Sequence, residues 1–253
     1  MSRPSIRVVL SDNDGCLSSE AGGRFDLEAF ARISERNRRA RAGGEIPELT
    51  VCTGRPLMFV EALCRCLDIQ LPAIAESGVW IWDPIRQVAE MDPRIGQAER
   101  DGIREALNYC ERDLVPDGFE LRPGKACSLT LWSRDRERLF SRAAELQARV
   151  DGEGWPLVIT LSEEHLNFDL ARVDKGTGIQ RFREITGLSV GDLGAIGDTG
   201  GDLKMRPEVS WFGCPANAIP SVKGQADFVA AGPELAGMHE LLEHLDGAPL
   251  SSD

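Results

Sequence analysis

Short apolar runs alternate with helical patterns in the first and last thirds of the chain. Residues 7–10, 49–52 and 194–196 have the length and composition of buried parallel strands, and each run stops abruptly at polar residues. Residues 26–42 and the segment after Pro56 repeat apolar positions every three or four residues, as amphipathic helices do. Strands that alternate with helices predict an α/β core, in which helices cover both faces of a parallel sheet.

The middle of the chain, residues 83–170, has a different pattern of hydrophobic positions. A helical stripe followed by two short strands occurs there twice, and the stripes lie at Ile103, Ala106, Leu107 and Cys110 and at Leu139, Ala143, Leu146 and Val150. This order predicts an inserted α+β domain with its sheet on one side and its helices on the other. The core domain then consists of residues 1–82 and 171–253.

Polar residues follow the core strands at the point where each strand ends. They are Asp12 and Asp14 after the first run, Thr53 and Gly54 after the second, and Asp198 and Asp202 after the third. Because ligands bind beyond the carboxyl ends of the strands in an open parallel sheet, we expect these side chains at one edge. Carboxylates gathered there repel one another unless a cation lies between them, and hard oxygen ligands suit Mg²⁺. A carboxylate that the metal keeps ionised can act as a nucleophile toward phosphorus.

Two features predict an anion site at the same edge. Thr53 and the Gly54 amide offer a hydroxyl and a backbone donor at a strand-to-helix junction, where the helix N-terminus favours anions. Lys175 lies just ahead of a helical stretch and brings a full positive charge. A phosphoryl group needs donors of these kinds, so the edge is predicted to bind a phosphorylated ligand.

The charge balance narrows the class of partner. The chain carries 29 Lys+Arg against 41 Asp+Glu, a formal net charge of −12. Such a surface repels nucleic acids and anionic membranes, so neither is an expected partner, whereas a small phosphorylated metabolite needs only a local positive cluster. No apolar run approaches the roughly 18–20 residues of a membrane span. The seven cysteines are odd in number and scattered, so we expect a cytoplasmic protein without disulfides. A monomer or a homodimer is expected.

The motifs at the strand ends resemble those of a known superfamily. Asp12-Asn13-Asp14-Gly15, Thr53-Gly54-Arg55, Lys175 and Gly197-Asp198-Thr199-Gly200-Gly201-Asp202 are similar to the four motifs of the haloacid dehalogenase (HAD) superfamily of phosphotransferases. The insertion is similar to the type IIB cap of that superfamily, whose members include sucrose-phosphate phosphatase and mannosyl-3-phosphoglycerate phosphatase. The resemblance implies a Rossmann-like core and a cap that selects the substrate.

The resemblance also implies a reaction, the hydrolysis of a phosphate monoester through an aspartyl-phosphate intermediate. Asp12 would be the nucleophile. Asp14 would protonate the leaving alcohol and then activate the water that hydrolyses the intermediate. The implied substrate is a small phosphorylated metabolite, either a sugar phosphate or a phosphoglycerate-type ester.

The remaining site residues follow from the same resemblance. The implied Mg²⁺ ligands are the Asp12 carboxylate, the Asp14 backbone carbonyl and the Asp198 carboxylate, with Asp202 in the outer shell. The implied phosphate-binding residues are Thr53, Gly54, Lys175 and Asn217. The candidate substrate contacts in the cap are Lys125, His165 and Asn167.

Two positions depart from the superfamily pattern. Cys16 stands where the first motif usually has threonine, and Gly201 stands where the fourth usually has asparagine. A catalytically weak regulatory or binding protein with the same fold is therefore an alternative, and so is a phosphomutase with the same machinery. The intact set of catalytic residues favours an enzyme, and the release of free phosphate separates a phosphatase from a mutase.

Overall fold

A computed structural model describes four stretches of the chain, residues 6–19, 23–43, 45–162 and 165–247. The chain forms two compact units. The first consists of Met1–Glu90 together with Lys175–Asp253, and the second is Met91–Asp174.

The helices and strands follow one another in this order. The chain begins with β1 (Val8–Ser11), α1 (Leu27–Arg41), β2 (Glu48–Val51), α2 (Leu57–Leu67), β3 (Ala73–Ala75), β4 (Trp80–Asp83) and β5 (Val88–Met91). The second unit contributes α3 (Gln97–Tyr109), β6 (Glu120–Arg122), β7 (Leu129–Trp132), α4 (Arg136–Ser141), α5 (Ala143–Glu153), β8 (Leu157–Leu161) and β9 (His165–Leu170). The chain returns with α6 (Lys175–Thr186), β10 (Leu193–Ile196), β11 (Trp211–Cys214), α7 (Pro220–Lys223), β12 (Phe228–Val229) and α8 (Glu234–Asp246).

The first unit is built on a five-stranded sheet in the order β12-β11-β10-β1-β2, in which the paired strands are parallel. Ser11 at the end of β1 lies beside Ile196 of β10 and Val51 of β2. The chain leaves β1 for β2 on one side and later returns to β10 on the other, so the strand order reverses at β1. In open α/β sheets the crevice at this reversal is where ligands bind. The predicted α/β core is confirmed.

Alternation along β1 sends side chains into two separate hydrophobic layers. Val9 packs in one layer with Phe30 of α1 and Leu63 of α2. Leu10 packs in the opposite layer with Phe182 of α6. Helices therefore cover both faces of the sheet, and β1 is held rigidly from both sides.

Polar contacts fix the outer helices of this unit. Asp26 caps α1, because its carboxylate accepts a hydrogen bond from the Ala29 amide at 2.9 Å. Arg36 of α1 is nearly buried and donates to both carboxylate oxygens of Asp246, at 3.1 and 2.5 Å. It also donates to the Pro47 carbonyl at 2.7 Å. These bonds hold α8 against α1 and the start of β2.

The two units meet in sequence at positions that differ from the predicted domain boundaries. Residues 83–90, predicted to open the insertion, belong to the first unit, where β5 extends the separate sheet β3-β4-β5. Residues 171–174, predicted to belong to the core, are part of the second unit. The role of the second unit as a cap stays a prediction.

The second unit contains a four-stranded antiparallel sheet in the order β6-β7-β9-β8. Along β9 the apolar residues are buried and the polar residues between them, His165, Asn167 and Asp169, are half-buried. This alternation places the three polar side chains on one face of the strand. Within the described residues, no helix combines the length and the apolar composition that a membrane crossing requires.

The second helical stripe of this unit differs from its prediction. The positions from Leu139 to Val150 lie on two helices, α4 and α5, which join at Arg142. At the junction the Ser141 hydroxyl donates to the Arg138 carbonyl at 2.8 Å. Serine side chains compete in this way with the backbone bonds of a helix, and the stripe breaks where such a bond forms.

Candidate active site

Asp12 is the first residue after β1 and lies at the reversal of strand order. Its amide donates to the Ile196 carbonyl at 2.9 Å. Its Oδ1 accepts a hydrogen bond from the Asn13 amide at 2.7 Å, and its Oδ2 lies 2.9 Å from Lys175 Nζ. The side chain is 9% exposed. Because a buried carboxylate is costly without partners, these contacts are what make its position tenable.

The loop after β1 turns tightly around one carbonyl. The Asn13 carbonyl accepts hydrogen bonds from the amides of residues 16–18 at 2.8 to 3.2 Å. Gly15 has a φ of +72°, and a Cβ at this position would lie 2.1 Å from Asp198 Oδ2. Glycine is therefore required both for the left-handed backbone and for the close approach to the neighbouring carboxylate.

Asp202 is fully buried, and both of its carboxylate oxygens have partners. Oδ1 lies 2.5 Å from Lys175 Nζ. Oδ2 accepts from the Asp198 amide at 3.0 Å, from the Thr199 amide at 2.8 Å and from the Thr199 hydroxyl at 2.9 Å. A Cβ at Gly197 would lie 2.3 Å from Asp202 Cβ, so only glycine allows this loop to close. Asp202 thus anchors the loop and the lysine.

Burial and neighbouring charges shift the pKa values of Asp12, Lys175 and Asp202 in opposite directions. Burial raises the pKa of Asp12 to about 7, although the charge of Lys175 opposes the shift. Burial alone would lower the pKa of Lys175, but the charges of Asp12 and Asp202 raise it well above its ordinary value. Lys175 and the hydrogen bonds from Thr199 outweigh burial at Asp202 and lower its pKa. Lys175 therefore stays positive, Asp202 stays negative, and Asp12 is the group of the three that titrates near neutrality.

Asp198 follows β10 and faces the loop after β1. Its Oδ2 accepts from Asn217 Nδ2 at 3.2 Å, and its Oδ1 lies 3.7 Å from Cys16 Sγ. Asn217 also donates to the Gly15 carbonyl at 3.0 Å and accepts from the Glu234 amide at 2.7 Å. Asn217 was predicted to face the phosphate. In the structure its amide orients Asp198, and its contact with a phosphate stays a prediction.

The carboxylates of Asp12, Asp198 and Asp202 offer oxygens that all lie within 4.8 Å of one another. A divalent cation relieves the mutual repulsion of carboxylates gathered in this way, and hard carboxylate oxygens suit Mg²⁺. The residues present therefore fit the implied metal. Asp202 accepts three hydrogen bonds besides its ion pair with Lys175, which fits the outer-shell place that the resemblance implies for it, and the implied direct carboxylate ligands are Asp12 and Asp198. The Asp14 carboxylate points elsewhere, so its backbone carbonyl is the group that could join them.

Thr53 follows β2 and is fully buried. Its amide donates to the Ile74 carbonyl at 3.0 Å, and its carbonyl accepts from the Ser77 amide at 2.9 Å. Its hydroxyl accepts from the Arg55 amide at 3.2 Å. A Cβ at Gly54 would lie 3.3 Å from Ser77 Oγ. The phosphate-binding segment predicted from the sequence is thus a tight turn, fixed on one side by β3 and the residues after it.

The sequence pattern alone indicates no role for Arg55, and the structure gives it one. Arg55 Nε donates to Asp14 Oδ2 at 2.7 Å, and Nη2 donates to Asp14 Oδ1. The residue that would act on the leaving group is therefore held by an arginine of the second motif. The signal that could have revealed this pair is the position of Arg55 directly after Thr53 and Gly54, at the edge where Asp14 was already expected.

Two of the candidate substrate residues of the second unit lie on one face of its sheet. His165 and Asn167 belong to β9, and Asn167 Oδ1 accepts from the Thr130 hydroxyl at 2.7 Å. Lys125 lies between β6 and β7 and is half-buried. Their contact with a substrate stays a prediction.

The sequence of the chain is similar to those of known proteins. Residues 101–242 match the haloacid dehalogenase-like hydrolase family, and this match covers more than half of the chain. The chain belongs to that family. The matched segment of this HAD-like hydrolase contains Lys175, Asp198, Asp202 and Asn217, four of the residues described above.

Two relatives extend the match to nearly the whole HAD-like hydrolase. The phosphoglycolate phosphatase of Methanosarcina acetivorans is 36% identical over 245 residues, which cover 95% of this chain and 97% of that protein. The phosphoglycolate phosphatase of Methanospirillum hungatei is 25% identical over 241 residues, which cover 94% and 95%. This HAD-like hydrolase is a phosphatase, and the predicted superfamily is confirmed.

A solved structure shares the fold. The sucrose-phosphatase of Synechocystis, solved in complex with sucrose and phosphate, has a TM-score of 0.65 at 16% sequence identity. The likeness covers 95% of this chain and 98% of that protein. At this identity the likeness shows the fold alone.

Proposed function

We propose that this HAD-like hydrolase is a Mg²⁺-dependent phosphatase with Asp12 as its nucleophile, and that its substrate is phosphoglycolate or a similar small acidic ester. The observation that carries the proposal is the buried chain of ion pairs, Asp12–Lys175–Asp202, beside Asp198 at the reversal of strand order. Burying four charged groups is unfavourable for folding alone. It is favourable at a site that must stabilise a phosphoryl group in transfer.

The reaction takes place in two displacements at phosphorus. In the first, an Asp12 oxygen bonds to phosphorus, the bond from phosphorus to the ester oxygen breaks, and Asp14 donates a proton to the leaving oxygen. In the second, Asp14 accepts a proton from water, the water oxygen bonds to phosphorus, and the bond to Asp12 breaks. The products are the alcohol and inorganic phosphate, and Asp12 is regenerated.

The other residues act by charge and position. Lys175 Nζ lies 2.9 Å from Asp12 Oδ2, and its raised pKa keeps it positive beside the phosphoryl group. The Thr53 turn presents its hydroxyl and the Gly54 amide to the phosphoryl oxygens. Mg²⁺, held by Asp12, Asp198 and the Asp14 carbonyl, would supply neutralisation of the clustered carboxylates and polarisation of the phosphoryl group.

The substrate class follows from the relatives. Both of the relatives described above are named for phosphoglycolate, and each matches more than nine-tenths of this chain. A sugar phosphate, the other substrate class that the motifs imply, has support only from the fold shared with sucrose-phosphatase. We therefore place a small acidic ester first and a sugar phosphate second.

Trapping the intermediate tests the proposal. Asp12→Asn should lower phosphate release from phosphoglycolate by more than about a thousandfold, since the attacking group is lost. Acid quenching of the wild type with substrate labelled at phosphorus should leave label on the protein, and Asp12→Asn should leave none.

The matched control is Asp113→Asn, which changes an exposed aspartate of the second unit and should behave as the wild type does. Activity of Asp12→Asn within about tenfold of the wild type would reject Asp12 as the nucleophile. With a labelled sugar phosphate as substrate, transfer of the label to a second hydroxyl of the sugar, with no free phosphate, would identify a mutase instead.

A further inference from the structure

Arg55 holds Asp14 through a planar, two-point ion pair. Nε donates to Asp14 Oδ2 at 2.7 Å and Nη2 donates to Asp14 Oδ1. The guanidinium carbon lies 5.2 Å from the centre of the Phe59 ring, which supports the group from one side. The Arg55 side chain is nevertheless 41% exposed, and Asp14 is 25% exposed. The pair is therefore more exposed to solvent than Lys175, Asp12 and Asp202, which are nearly buried.

The backbone around Arg55 is fixed more firmly than its side chain. Its amide donates to the Thr53 hydroxyl at 3.2 Å, and its carbonyl accepts from the Glu76 amide at 3.0 Å. The arginine therefore extends from the same turn that is proposed to hold the phosphoryl group.

Lys175 and Arg55 pair with the aspartates of the site in different surroundings. Lys175 is 8% exposed and contacts Asp12 and Asp202, at the place where the phosphoryl group is expected. Arg55 contacts Asp14, the group proposed to protonate the leaving oxygen. A substrate that is anionic at both ends needs a cation for each end, and the two cations pair with the aspartates proposed to act on phosphorus and on the leaving oxygen.

We propose that Arg55 binds the carboxylate of the substrate and so makes the enzyme selective for acidic phosphate esters. The inference rests on the proposed function, because it uses the positions assigned to the phosphoryl group and to Asp14. In phosphoglycolate the carboxylate carbon is two bonds from the leaving oxygen, so an ester oxygen beside Asp14 brings the carboxylate to the guanidinium that Asp14 already contacts. The planar fork of arginine suits a carboxylate in two-point contact. The substrate replaces one of the two Asp14 hydrogen bonds, and Phe59 keeps the guanidinium plane in place.

A matched pair of substrates tests the inference. 2-Hydroxyethyl phosphate has the same length as phosphoglycolate but carries a hydroxyl in place of the carboxylate. Arg55→Ala should raise the KM for phosphoglycolate by about 10- to 100-fold, because a charge-assisted contact is lost. The KM for 2-hydroxyethyl phosphate should change by no more than about twofold, and any fall in kcat caused by the freed Asp14 should be the same for both esters.

Two further variants separate charge from geometry. Arg55→Lys keeps the charge but loses the fork, so it should recover only part of the preference for phosphoglycolate. Arg65→Ala removes an arginine of α2 that is 70% exposed and pairs with Glu61, and it should leave both KM values unchanged. An equal loss of kcat/KM for both esters in Arg55→Ala would overturn the inference, because Arg55 would then act only through Asp14.

Binding to an inactive protein separates this inference from the proposed function. In the Asp12→Asn background, calorimetry with Mg²⁺ should show phosphoglycolate binding at least about tenfold more weakly once Arg55→Ala is added. 2-Hydroxyethyl phosphate should bind equally to both. A wild type that hydrolyses neither ester would contradict the proposed function. An unchanged affinity for phosphoglycolate in the double variant would contradict the role of Arg55.

Discussion

The candidate site residues of the two units differ in their polar contacts. In the first unit, the Lys175 side chain at 8% exposure contacts Asp12 at 9% and Asp202 at 0%. In the second unit, the polar pairs on the sheet face are hydroxyl bonds: Thr130 donates to Asn167 at 2.7 Å, and Thr160 donates to Asp169 at 2.5 Å. Buried charges act strongly on a reacting group, whereas half-buried hydroxyl bonds fix the shape of a surface. The difference supports the proposal that the first unit carries out the chemistry and that the second contributes to substrate selection.

The two kinds of contact differ in what they contribute to the free energy of unfolding. Removing one partner of a buried ion pair leaves an uncompensated charge and typically costs about 3–5 kcal/mol. Removing one hydroxyl bond from a half-buried face typically costs about 0.5–1.5 kcal/mol. Substitutions in the two units should therefore differ in stability as well as in activity.

The largest effect is expected at Lys175. Lys175→Ala leaves two buried carboxylates beside each other without their cation, so the free energy of unfolding in urea should fall by about 3–5 kcal/mol. The kcat should fall by about 10²–10³ for every phosphate ester, because the lost charge acts on the phosphoryl group that all of them share.

Two variants give this prediction its controls. Lys204→Ala removes an exposed lysine of the same unit and should change neither quantity. Thr130→Val in the second unit should cost only about 1 kcal/mol. If Lys175→Ala and Thr130→Val destabilised the protein equally, the contrast between the two units would be wrong.

The second effect concerns Mg²⁺ and pH. Burial raises the pKa of Asp12 to about 7 from an ordinary 3.8, although Lys175 opposes the shift. Its contribution to the stability of the metal-free protein is therefore present below pH 3.8 and is lost as the pH rises toward 7. Mg²⁺ binds the carboxylate form, so saturating Mg²⁺ should raise the Tm by about 5 °C at pH 8 and by less at pH 5.5.

The quantity to measure is the increment that Mg²⁺ causes, not the Tm itself. His239 of α8 has a pKa lowered by burial, so it also changes the Tm in this range, with the opposite sign. Asp198→Asn should abolish most of the increment at both pH values. An increment that is the same at pH 5.5 and pH 8 would show that Asp12 does not bind the metal.

The sequence predicts the frame of the site because that frame depends on strand order. Asp12, Thr53 and Asp198 each follow a core strand, and parallel strands end at one edge. Hydrophobic runs and motif spacing are enough to find such positions.

The sequence alone does not predict contacts that depend on which way a side chain points. Arg55 has many rotamers, and its pairing with Asp14 is decided by the Thr53 turn and by Phe59. Asn217 was predicted to face a phosphate, and the Glu234 amide and the Gly15 carbonyl orient its side chain so that it donates to Asp198. Such details depend on packing between segments that are far apart in sequence.

A smaller effect is expected in the second unit. If the second unit selects the substrate, Lys125→Ala should raise the KM for phosphoglycolate by about two- to fivefold, because a half-buried charge contributes modestly. The kcat should not change, and the KM for p-nitrophenyl phosphate, which lacks the carboxylate, should stay the same. Lys223→Ala, at an exposed position of the first unit, is the control. A fall in kcat like that of Lys175→Ala would place Lys125 in the chemistry and contradict the division.

The smallest effect is expected at Cys16, where the first unit departs from its superfamily. Cys16 is fully buried, with Sγ 3.7 Å from Asp198 Oδ1, and burial raises the pKa of its thiol well above the ordinary value. The thiol is therefore a neutral and weak donor. Cys16→Thr places a stronger donor beside Asp198, which should orient that carboxylate more firmly and raise kcat by up to about threefold. Cys16→Val has the shape of threonine without the hydroxyl, so it should not raise kcat. Equal kcat values for the two variants would show that the packing at this position matters and the hydrogen bond does not.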